Sequence, residues 1–364
     1  MKRSDEAADG EFMRRALALA EGGWGRVAPN PLVGAVVVRE GRIVGEGFHA
    51  EYGRPHAEVK ALGAAGEQAR GATLYVTLEP CSHHGKTPPC TDAVLQAGIS
   101  RLVFAAKDPN PRAAGGAERL RHAGVEVLGG VEAEAARDQN ASFFHALGPH
   151  GVQRPWIELK LALSLDARLA DREGRSTWIT GELARAEVHR LRAGVDAIAV
   201  GIGTVLADDP QLTVRCAVQP RRRPVRVIFD RALRLPPASS LARTAREIPV
   251  WLIAGLDPPV ARRRRLEELG VRVLPAADLC DGLKQLREEG IGSLFCEGGA
   301  ALAGALLGAD LVDRLTLFYA PLLLGPEGCS PFAALESPAI ELVRRWRHLR
   351  TASFGADTLI TLAQ

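Results

Sequence analysis

Three residues of types that bind zinc stand in the first quarter of the chain, close to a carboxylate. They are His56, Cys81 and Cys90, and Glu58 follows the histidine by two positions. A catalytic zinc site uses three protein ligands and leaves a fourth position for water. Zinc lowers the pKa of that water to about 7, which provides hydroxide at neutral pH. The unligated Glu58 could then carry a proton to a leaving ammonia, which is the chemistry of hydrolytic deamination.

The spacing of the two cysteines departs from the usual nucleobase-deaminase pattern. That pattern combines His-x-Glu with Pro-Cys-x-x-Cys, whereas eight residues separate Cys81 from Cys90 here. The longer segment must fold back to bring both sulfurs to one metal. An alternative remains open in which His83 or His84 is the fourth ligand of a closed, structural zinc site. In that alternative Glu58 is an ordinary acid on a helix surface.

The elements predicted around these residues would hold them at helix and strand ends. The segment 55–65 is expected to be a helix that contains His56 in its first turn. Cys90 opens a further helix, whose N-terminal dipole favours the thiolate form that binds metal. Cys81 follows a predicted strand. Helix and strand patterns alternate over the first 128 residues, which predicts a three-layer α/β domain.

Composition and a breaker-rich segment predict two domains. The 364 residues are 46% hydrophobic and 24% charged, an ordinary globular composition, and the length suits about two domains. The stretch Gly-Pro-His-Gly-Val-Gln-Arg-Pro predicts a linker at 149–154, between domains at 1–148 and 155–364. A net charge of +3 and an aromatic content of 5% argue against a nucleic-acid partner. No signal peptide or membrane span is expected, and the expected location is cytoplasmic.

The second half gives weaker motifs when it is considered alone. Gly201-Ile202-Gly203 is followed by Leu206 where a dinucleotide-binding fingerprint would have its third glycine. An ordinary strand-to-helix turn explains this motif better. Glu297-Gly298-Gly299 lies between an apolar strand and an alanine-rich helix. Glycines there would let a phosphate approach the helix N-terminus, although a tight turn explains them equally well.

Motifs in both halves resemble the bacterial bifunctional riboflavin-biosynthesis deaminase–reductase family, and the match extends from about Glu11 to the C-terminus. The motifs that carry the resemblance are His56-Ala57-Glu58-Val59, the run from Thr77 to Cys90, Asp108-Pro109-Asn110-Pro111, Lys160-Leu161, Ser164-Leu165-Asp166, Trp178-Ile179-Thr180, the run from Gly201 to Pro210, and Glu297-Gly298-Gly299. The resemblance implies a cytidine-deaminase-like first domain. It also implies a second α/β domain similar to dihydrofolate reductase, which binds NADPH without the missing fingerprint.

The resemblance implies two consecutive reactions on a phosphorylated pyrimidine, with one Zn²⁺ and NADPH as cofactors. The first is deamination of 2,5-diamino-6-(5-phosphoribosylamino)pyrimidin-4(3H)-one. The second is reduction of the ribosyl chain to ribityl, which gives 5-amino-6-(5-phosphoribitylamino)uracil. The protein would hold the nicotinamide against the sugar carbon and exclude water.

The resemblance also implies the residues of both sites. Those expected around the pyrimidine and its ribose phosphate in the deaminase are Asn30, His49, His83, Lys86, Asp108 and Asn110. Those expected to contact the substrate of the reductase are Ser176, Arg192, Leu212, Arg215 and Glu297. Those expected to contact NADPH are Leu163, Trp178, Thr204, Asp208 and Gly299. Asp208 and Glu297 are the candidate proton donors. Ala167 stands where the family usually has glycine, and its methyl group could alter the fit of the cofactor.

Two other functions remain open at this point. A single-function nucleoside or nucleic-acid zinc deaminase with an accessory binding domain would share the metal motif, but it predicts a basic and aromatic surface. A non-catalytic, zinc-stabilised binding protein predicts four ligands, and loss of zinc would unfold it. The sequence leaves the oligomeric state open, a homo-oligomer included.

Overall fold

The chain divides into two compact units, Met1–Pro149 and His150–Gln364. The computed structural model describes residues 2–85, 88–176, 179–333, 335–336, 339–343 and 345–364. Each unit has a sheet and hydrophobic clusters of its own. Within the described ranges, no helix has both the length and the apolar content needed to cross a membrane.

The first unit is a three-layer α/β fold, which confirms the fold class predicted from the sequence. Its strands are β1 (Gly34–Arg39), β2 (Arg42–Phe48), β3 (Thr73–Leu78), β4 (Arg101–Ala106) and β5 (Glu126–Gly129). Its helices are α1 (Lys2–Ala20), α2 (Ala57–Ala65), α3 (Cys90–Gln96), α4 (Gly116–His122), α5 (Ala133–Gln139) and α6 (Ala141–Leu147). The strand order is β2-β1-β3-β4-β5, in which β1 is antiparallel to both neighbours and the other pairs are parallel.

Both faces of this sheet are covered. Val37 and Val76 pack on one face in a cluster that includes Ala61 of α2. Val36 belongs to a second cluster on the other face, with Met13 of α1. Because neighbouring residues of a strand point to opposite faces, a strand covered on both sides reads as a continuous apolar run. The run Ala-Val-Val-Val in β1 has this form.

The second unit is a larger α/β fold with a mainly parallel sheet. Its strands are β6 (Trp156–Ser164), β7 (Ala197–Gly201), β8 (Val225–Phe229), β9 (Val250–Ala254), β10 (Arg272–Pro275), β11 (Ser293–Cys296), β12 (Arg314–Ala320), β13 (Arg347–Phe354) and β14 (Asp357–Ala363). Its helices are α7 (Glu182–Arg192), α8 (Ile202–Asp208), α9 (Ser240–Arg243), α10 (Val260–Glu268), α11 (Leu279–Glu288) and α12 (Ala300–Gly308). The order is β10-β9-β8-β7-β11-β6-β12-β14-β13, and only β14 runs antiparallel to its neighbours in this part of the chain.

Parallel strands bring their C-terminal ends to one edge of the sheet, and ligands of open α/β sheets bind in crevices at that edge. β7, β11 and β6 are neighbours, and they end at Gly201, Cys296 and Ser164. The segments that follow these three strands contain most of the residues expected in the reductase site.

Some elements differ from the sequence expectation. His56 is not in the first turn of α2 but directly precedes it, with extended backbone angles of φ −71° and ψ 166°. Helical apolar spacing in the sequence runs only from Glu11 to Glu21, which predicts a helix there, whereas the first helix begins at Lys2. The polar segment before Glu11 has no apolar period to reveal it. The hairpin of β13 and β14 was not predicted, since β13 is an edge strand with mostly exposed side chains.

Candidate active sites

His56, Cys81 and Cys90 meet in the first unit, each held by a different element. His56 precedes α2, Cys81 lies in the loop after β3, and Cys90 is the first residue of α3. His56 Nδ1 is 3.2 Å from Cys90 Sγ and 3.7 Å from Cys81 Sγ. The loop between the cysteines folds back, and the Cys90 backbone N–H lies 3.4 Å from Cys81 Sγ.

These three donors fit a zinc ion. Tetrahedral zinc with Zn–S near 2.3 Å and Zn–N near 2.0–2.1 Å separates its ligand atoms by roughly 3.5–3.8 Å, close to the distances seen here. A hydrogen bond from Cys90, opposed by burial and aided by His56, lowers the pKa of Cys81 to about 4. The hydrogen bond with Cys81, together with burial, raises the pKa of Cys90. A divalent cation would supply the positive charge that lets both sulfurs be thiolates.

Glu58 lies in the first turn of α2 and is buried, with 4% of its surface exposed. Burial raises the pKa of this carboxyl group. The alternative in which Glu58 is a surface acid is therefore wrong. His83 and His84 are exposed and stand outside the group of three donors that the described residues form. That arrangement leaves the donor set open rather than closed by a fourth side chain.

A cavity of about 240 Å³ opens beside Glu58. Of the substrate residues expected from the sequence, five line it: Asn30, His49, His83, Asp108 and Asn110. The sixth, Lys86, lies outside the described residues. Pro29-Asn30-Pro31 and Asp108-Pro109-Asn110-Pro111 both have the composition of turns, and both contribute residues to the wall of the cavity.

His49 is held as a neutral imidazole with a defined tautomer. Its Nδ1 lies 3.3 Å from the Pro55 carbonyl oxygen, which can only accept, so Nδ1 carries the proton. Nε2 then accepts from Asn30 Nδ2 at 3.2 Å. Burial lowers the pKa of His49, which favours the neutral ring. Asn30 consequently keeps its Oδ1 as an acceptor for a ligand.

The pKa of Asp108 is higher than that of a surface acid. Burial raises its pKa, against the hydrogen bond that its Oδ1 accepts from the Asn110 backbone N–H at 2.8 Å. Other cavity-lining residues were missed by the sequence analysis, namely Tyr52, Arg54, Glu79 and Phe143. Glu79 belongs to the Thr77–Cys90 run and could have been found there. Phe143 comes from α6, distant in sequence, and nothing in the sequence pointed to it.

In the second unit, Arg192 and Glu297 form a nearly buried ion pair. Arg192 ends α7, and Glu297 directly follows β11. Two hydrogen bonds join them, from Nε to Oε1 at 2.5 Å and from Nη2 to Oε2 at 3.0 Å. Arg192 Nη1 also donates to the Thr213 carbonyl at 2.9 Å. Burial alone would raise the pKa of Glu297, but the charge and hydrogen bonds of Arg192 outweigh it and lower the pKa.

Positive charge surrounds this carboxylate. Lys160 of β6 is a further cation whose charge acts on Glu297, and burial lowers its pKa. Arg215 is exposed and donates to Gln211 Oε1 at 2.8 Å. Leu212, by contrast, is buried and takes a left-handed φ of 49°. Strained backbone of this kind is typical of functional loops. Lys160 belongs to one of the motifs that carry the resemblance, but a role for it in the site was not predicted from the sequence.

Four of the expected NADPH residues lie in described segments: Leu163 in β6, Thr204 and Asp208 in α8 after β7, and Gly299 in the segment after β11. Thr204 of α8 accepts a hydrogen bond from the Gly299 backbone N–H at 3.1 Å, which joins the segments after β7 and β11. Asp208 ends the same helix, with Ser176 Oγ at 3.4 Å from its Oδ1. Leu163 is buried near the end of β6. The expected contact Trp178 lies outside the described residues. Gly201 ends β7 directly before α8, so the Gly-Ile-Gly motif is the strand-to-helix turn that was predicted.

Asp166 joins the loop after β6 to the loop after β12. Its Oδ1 accepts from the Leu324 backbone N–H at 3.1 Å, and its Oδ2 accepts from Gly325 N–H at 2.7 Å. A hydrogen bond from Ser164, aided by these amides, lowers the pKa of Asp166 to about 2. The next residue, Ala167, has a left-handed φ of 57°. Glycine adopts that region without cost, which explains why the resembling family usually has glycine there.

Comparisons with known proteins cover nearly the whole chain. Residues 6–106 match the cytidine and deoxycytidylate deaminase zinc-binding region, and residues 155–360 match the RibD C-terminal domain. The riboflavin biosynthesis protein RibD of Aquifex aeolicus is 44% identical over 353 residues, or 97% of each chain. The Escherichia coli protein of the same name is 43% identical over 335 residues, 88% of this chain and 89% of the relative.

Solved structures agree with these matches. Acinetobacter baumannii RibD is similar with a TM-score of 0.82 at 38% identity, covering 98% of this chain and 99% of that one. A Thermotoga maritima protein has a TM-score of 0.80 at 36% identity over 99% of both chains. That protein is described as a diaminohydroxyphosphoribosylaminopyrimidine deaminase and 5-amino-6-(5-phosphoribosylamino)uracil reductase.

The fold, the donor set and the matched regions define a bifunctional enzyme in which a zinc-dependent deaminase is joined to an NADPH-dependent reductase. These two activities are a hydrolase and an oxidoreductase activity. The chain belongs to the RibD family of riboflavin biosynthesis. The fold class, the activities and the two cofactors predicted from the sequence are therefore confirmed.

Proposed function

We propose that the chain deaminates 2,5-diamino-6-(5-phosphoribosylamino)pyrimidin-4(3H)-one and then reduces the ribosyl chain of the product with NADPH. The description of the Thermotoga maritima relative supports this choice of substrates. The observation that carries the proposal is the open donor set of His56, Cys81 and Cys90 beside the buried Glu58, in a cavity lined by polar side chains.

In the deaminase, His56, Cys81 and Cys90 would hold zinc, which when bound lowers the pKa of water. Glu58 accepts a proton from the attacking water and delivers it to the ring nitrogen. It then passes the second proton, from the newly formed hydroxyl group, to the amine, which leaves as ammonia. The raised pKa of Glu58 suits this role, because a shuttle must gain and lose a proton near neutral pH. Asn30 orients the pyrimidine through its Oδ1.

Asp108 and Asn110 would add hydrogen bonds to the same ring and to the ribose, from the loop that follows β4. His83 and Lys86 belong to the loop between the cysteines, and we assign them to the phosphoribosyl side of the substrate. The burial of His49 and Glu58 keeps bulk water away from this end of the cavity.

In the reductase, the cations around Glu297 favour an anionic substrate. Arg215 and Lys160 offer positive charge to the substrate, while Arg192 is engaged with Glu297. Ser176 and Leu212 would complete the substrate side. Leu163, Trp178, Thr204, Asp208 and Gly299 would bind NADPH. The assignment of Arg192 to the phosphate, and of Asp208 or Glu297 as proton donor, stays a prediction.

The two functional domains are proposed to coincide with the two compact units, with the boundary near the predicted linker at 149–154. A cytoplasmic location, the absence of a nucleic-acid partner and a homo-oligomeric state remain predictions from the sequence.

The test is incubation of the purified protein with the phosphorylated diaminopyrimidinone, with and without NADPH, followed by mass analysis. We expect ammonia and the deaminated pyrimidine without NADPH, and a further gain of two hydrogens with it. A product that gains hydrogens while it keeps its amine would contradict the proposed order of reactions. Absence of any product from this substrate would contradict the proposed function.

A further inference from the structure

The deaminase cavity has a buried floor and an exposed rim. His49 and Glu58 form part of the floor and are almost fully buried. The exposed lining residues with basic side chains are Arg54 and His83, within the part of the chain that the structure describes. A strongly hydrated anion is less costly to place at such a rim than at the floor, because it keeps part of its water shell.

Arg54 has a guanidinium group that is available to a ligand. Its side chain makes no hydrogen bond or ion pair with a described residue, and only its backbone N–H is engaged, with the Glu51 carbonyl. Glu51, the nearest acid in sequence, is already paired with Arg26. An arginine that lines a cavity without a protein partner is suited to a phosphate, which its planar fork binds through two hydrogen bonds.

The size of the cavity also places the phosphate at the rim. Small-molecule sites commonly enclose about 300–1,000 Å³, and this cavity measures about 240 Å³. The reacting amine must reach Glu58 at the floor, so the pyrimidine takes the enclosed volume. The phosphoribosyl group of the proposed substrate then extends outward, toward the residues of the rim.

We propose that Arg54 forms a phosphate subsite at the rim of the deaminase cavity and binds the 5′-phosphate of the substrate. The inference rests on the proposed function, which supplies a phosphoribosyl pyrimidine. Arg54 is therefore a specificity residue, which favours phosphorylated over dephosphorylated pyrimidines and takes no part in proton transfer.

The experiment compares wild-type protein with Arg54→Gln, Arg54→Lys and the control Arg42→Gln. Arg42 is also exposed and unpaired among the described residues, but it lies in β2 outside the cavity lining. Ammonia release gives kcat/KM for the phosphorylated diaminopyrimidinone and for its dephosphorylated counterpart. The zinc content of each preparation, measured by metal analysis, shows that the first unit is folded around its metal donors, and the reductase rate with the deaminated substrate serves as a control for the second unit.

We expect Arg54→Gln to reduce the preference for the phosphorylated substrate about tenfold, as loss of one partly exposed charge-assisted contact should. Arg54→Lys should lose less, because it keeps the charge but not the fork. Raising the salt concentration to about 1 M should erode the preference of the wild type more than that of Arg54→Gln, since salt screens exposed charges.

Each outcome decides between the two proposals. A wild type that acts on the phosphorylated substrate, with an Arg54→Gln preference equal to that of Arg42→Gln, overturns the subsite and leaves the proposed function intact. Equal losses on both substrates also overturn it, because they show damage that does not depend on phosphate. A folded wild type that releases no ammonia from the phosphorylated substrate overturns the proposed function and the subsite together.

Discussion

At the scale of single residues, burial decides what the carboxylate of Glu58 can do. An exposed glutamate is ionised at neutral pH and is too weak a base to hold a proton taken from water. Glu58 is buried beside three donors that a cation would join, and burial raises its pKa. The same side chain can then serve first as base and afterwards as acid, which hydrolytic deamination requires.

Substitution Glu58→Gln tests this role. The amide keeps the size of the side chain but cannot carry a proton, so we expect deamination to fall by about 10²–10⁴-fold. Zinc content, measured by metal analysis, should stay at the wild-type value because Glu58 is not a donor. NADPH oxidation with the deaminated substrate should be retained. Ammonia release at the wild-type rate would exclude Glu58 as the shuttle.

Ala167 offers a second prediction about one residue. A left-handed conformation costs an alanine about 1–2 kcal/mol, and glycine loses about 0.4–1 kcal/mol through its more flexible unfolded chain. Ala167→Gly should therefore stabilise the second unit by about 0.5–1 kcal/mol, as measured by urea unfolding. The added methyl group that was expected to affect NADPH binding can be checked in the same variant, through the KM for NADPH.

Ala261→Gly is a control for which the opposite change in the free energy of unfolding is expected. Ala261 is exposed within α10, where glycine should destabilise by about 0.5–1 kcal/mol. If Ala167→Gly destabilised the protein as much as Ala261→Gly does, the left-handed backbone at residue 167 would not be a source of strain.

At the scale of elements, most strands could be predicted from the sequence, but the hairpin of β13 and β14 could not. The segments 225–229, 250–254 and 293–296 are short apolar runs between breakers, which predicts strands, and they form β8, β9 and β11 with these bounds. β13 was not predicted, because an exposed edge strand has no buried apolar run in its sequence. The residues that line the cavity were also predicted only in part. Motif residues such as His56 and Asp108 were predicted. Arg54 and Phe143 were not, because no motif marks them and only the folded chain brings them to the cavity.

Asp166 joins the loop after β6 to the loop after β12, and its hydrogen bonds give a prediction at this scale. Asp166→Asn removes the charge that accepts from the Leu324 and Gly325 amides. We expect these two amides to exchange with solvent several-fold faster. The pKa of Asp166 is lowered to about 2, below the unfolded value near 3.9. The stability that its hydrogen bonds contribute should therefore be fully present above about pH 3.9 and be lost as the pH falls through about 2.

Asp171→Asn is the matched control. Asp171 accepts hydrogen bonds from Glu173 and Arg175 within its own turn, so its loss should leave the amides at 324 and 325 unchanged. Equal exchange rates in the Asp166 variant and in the wild type would show that the carboxylate does not hold the two loops together.

At the scale of the whole molecule, each unit has the means to fold by itself. The clusters around Val37 and Met13 draw only on the first unit, and those around Leu161 and Ile198 only on the second. Separate cores of this kind are a property of independent domains. The sequence predicts a linker at 149–154 from composition alone, and this boundary between functional domains stays a prediction.

Separate expression of residues 1–149 and 150–364 tests this independence. We expect the first fragment to release ammonia from the phosphorylated diaminopyrimidinone and the second to oxidise NADPH with the deaminated product. Cooperative thermal unfolding of each fragment, followed by circular dichroism, would accompany these activities. Fragments that are active only after mixing would show that the units depend on each other.

The loop between Cys81 and Cys90 has a consequence for how this enzyme can evolve. Both of its ends are anchored, by the metal donors and by the start of α3, and His83, two residues after Cys81, lies at the exterior of the cavity. Lengthening such a loop costs little, since closure entropy grows only with the logarithm of its length. Insertions in this loop would change the shape of the cavity entrance, and therefore which molecules bind, without changing the metal donors or Glu58. A new substrate specificity could therefore arise while the catalytic residues stay the same.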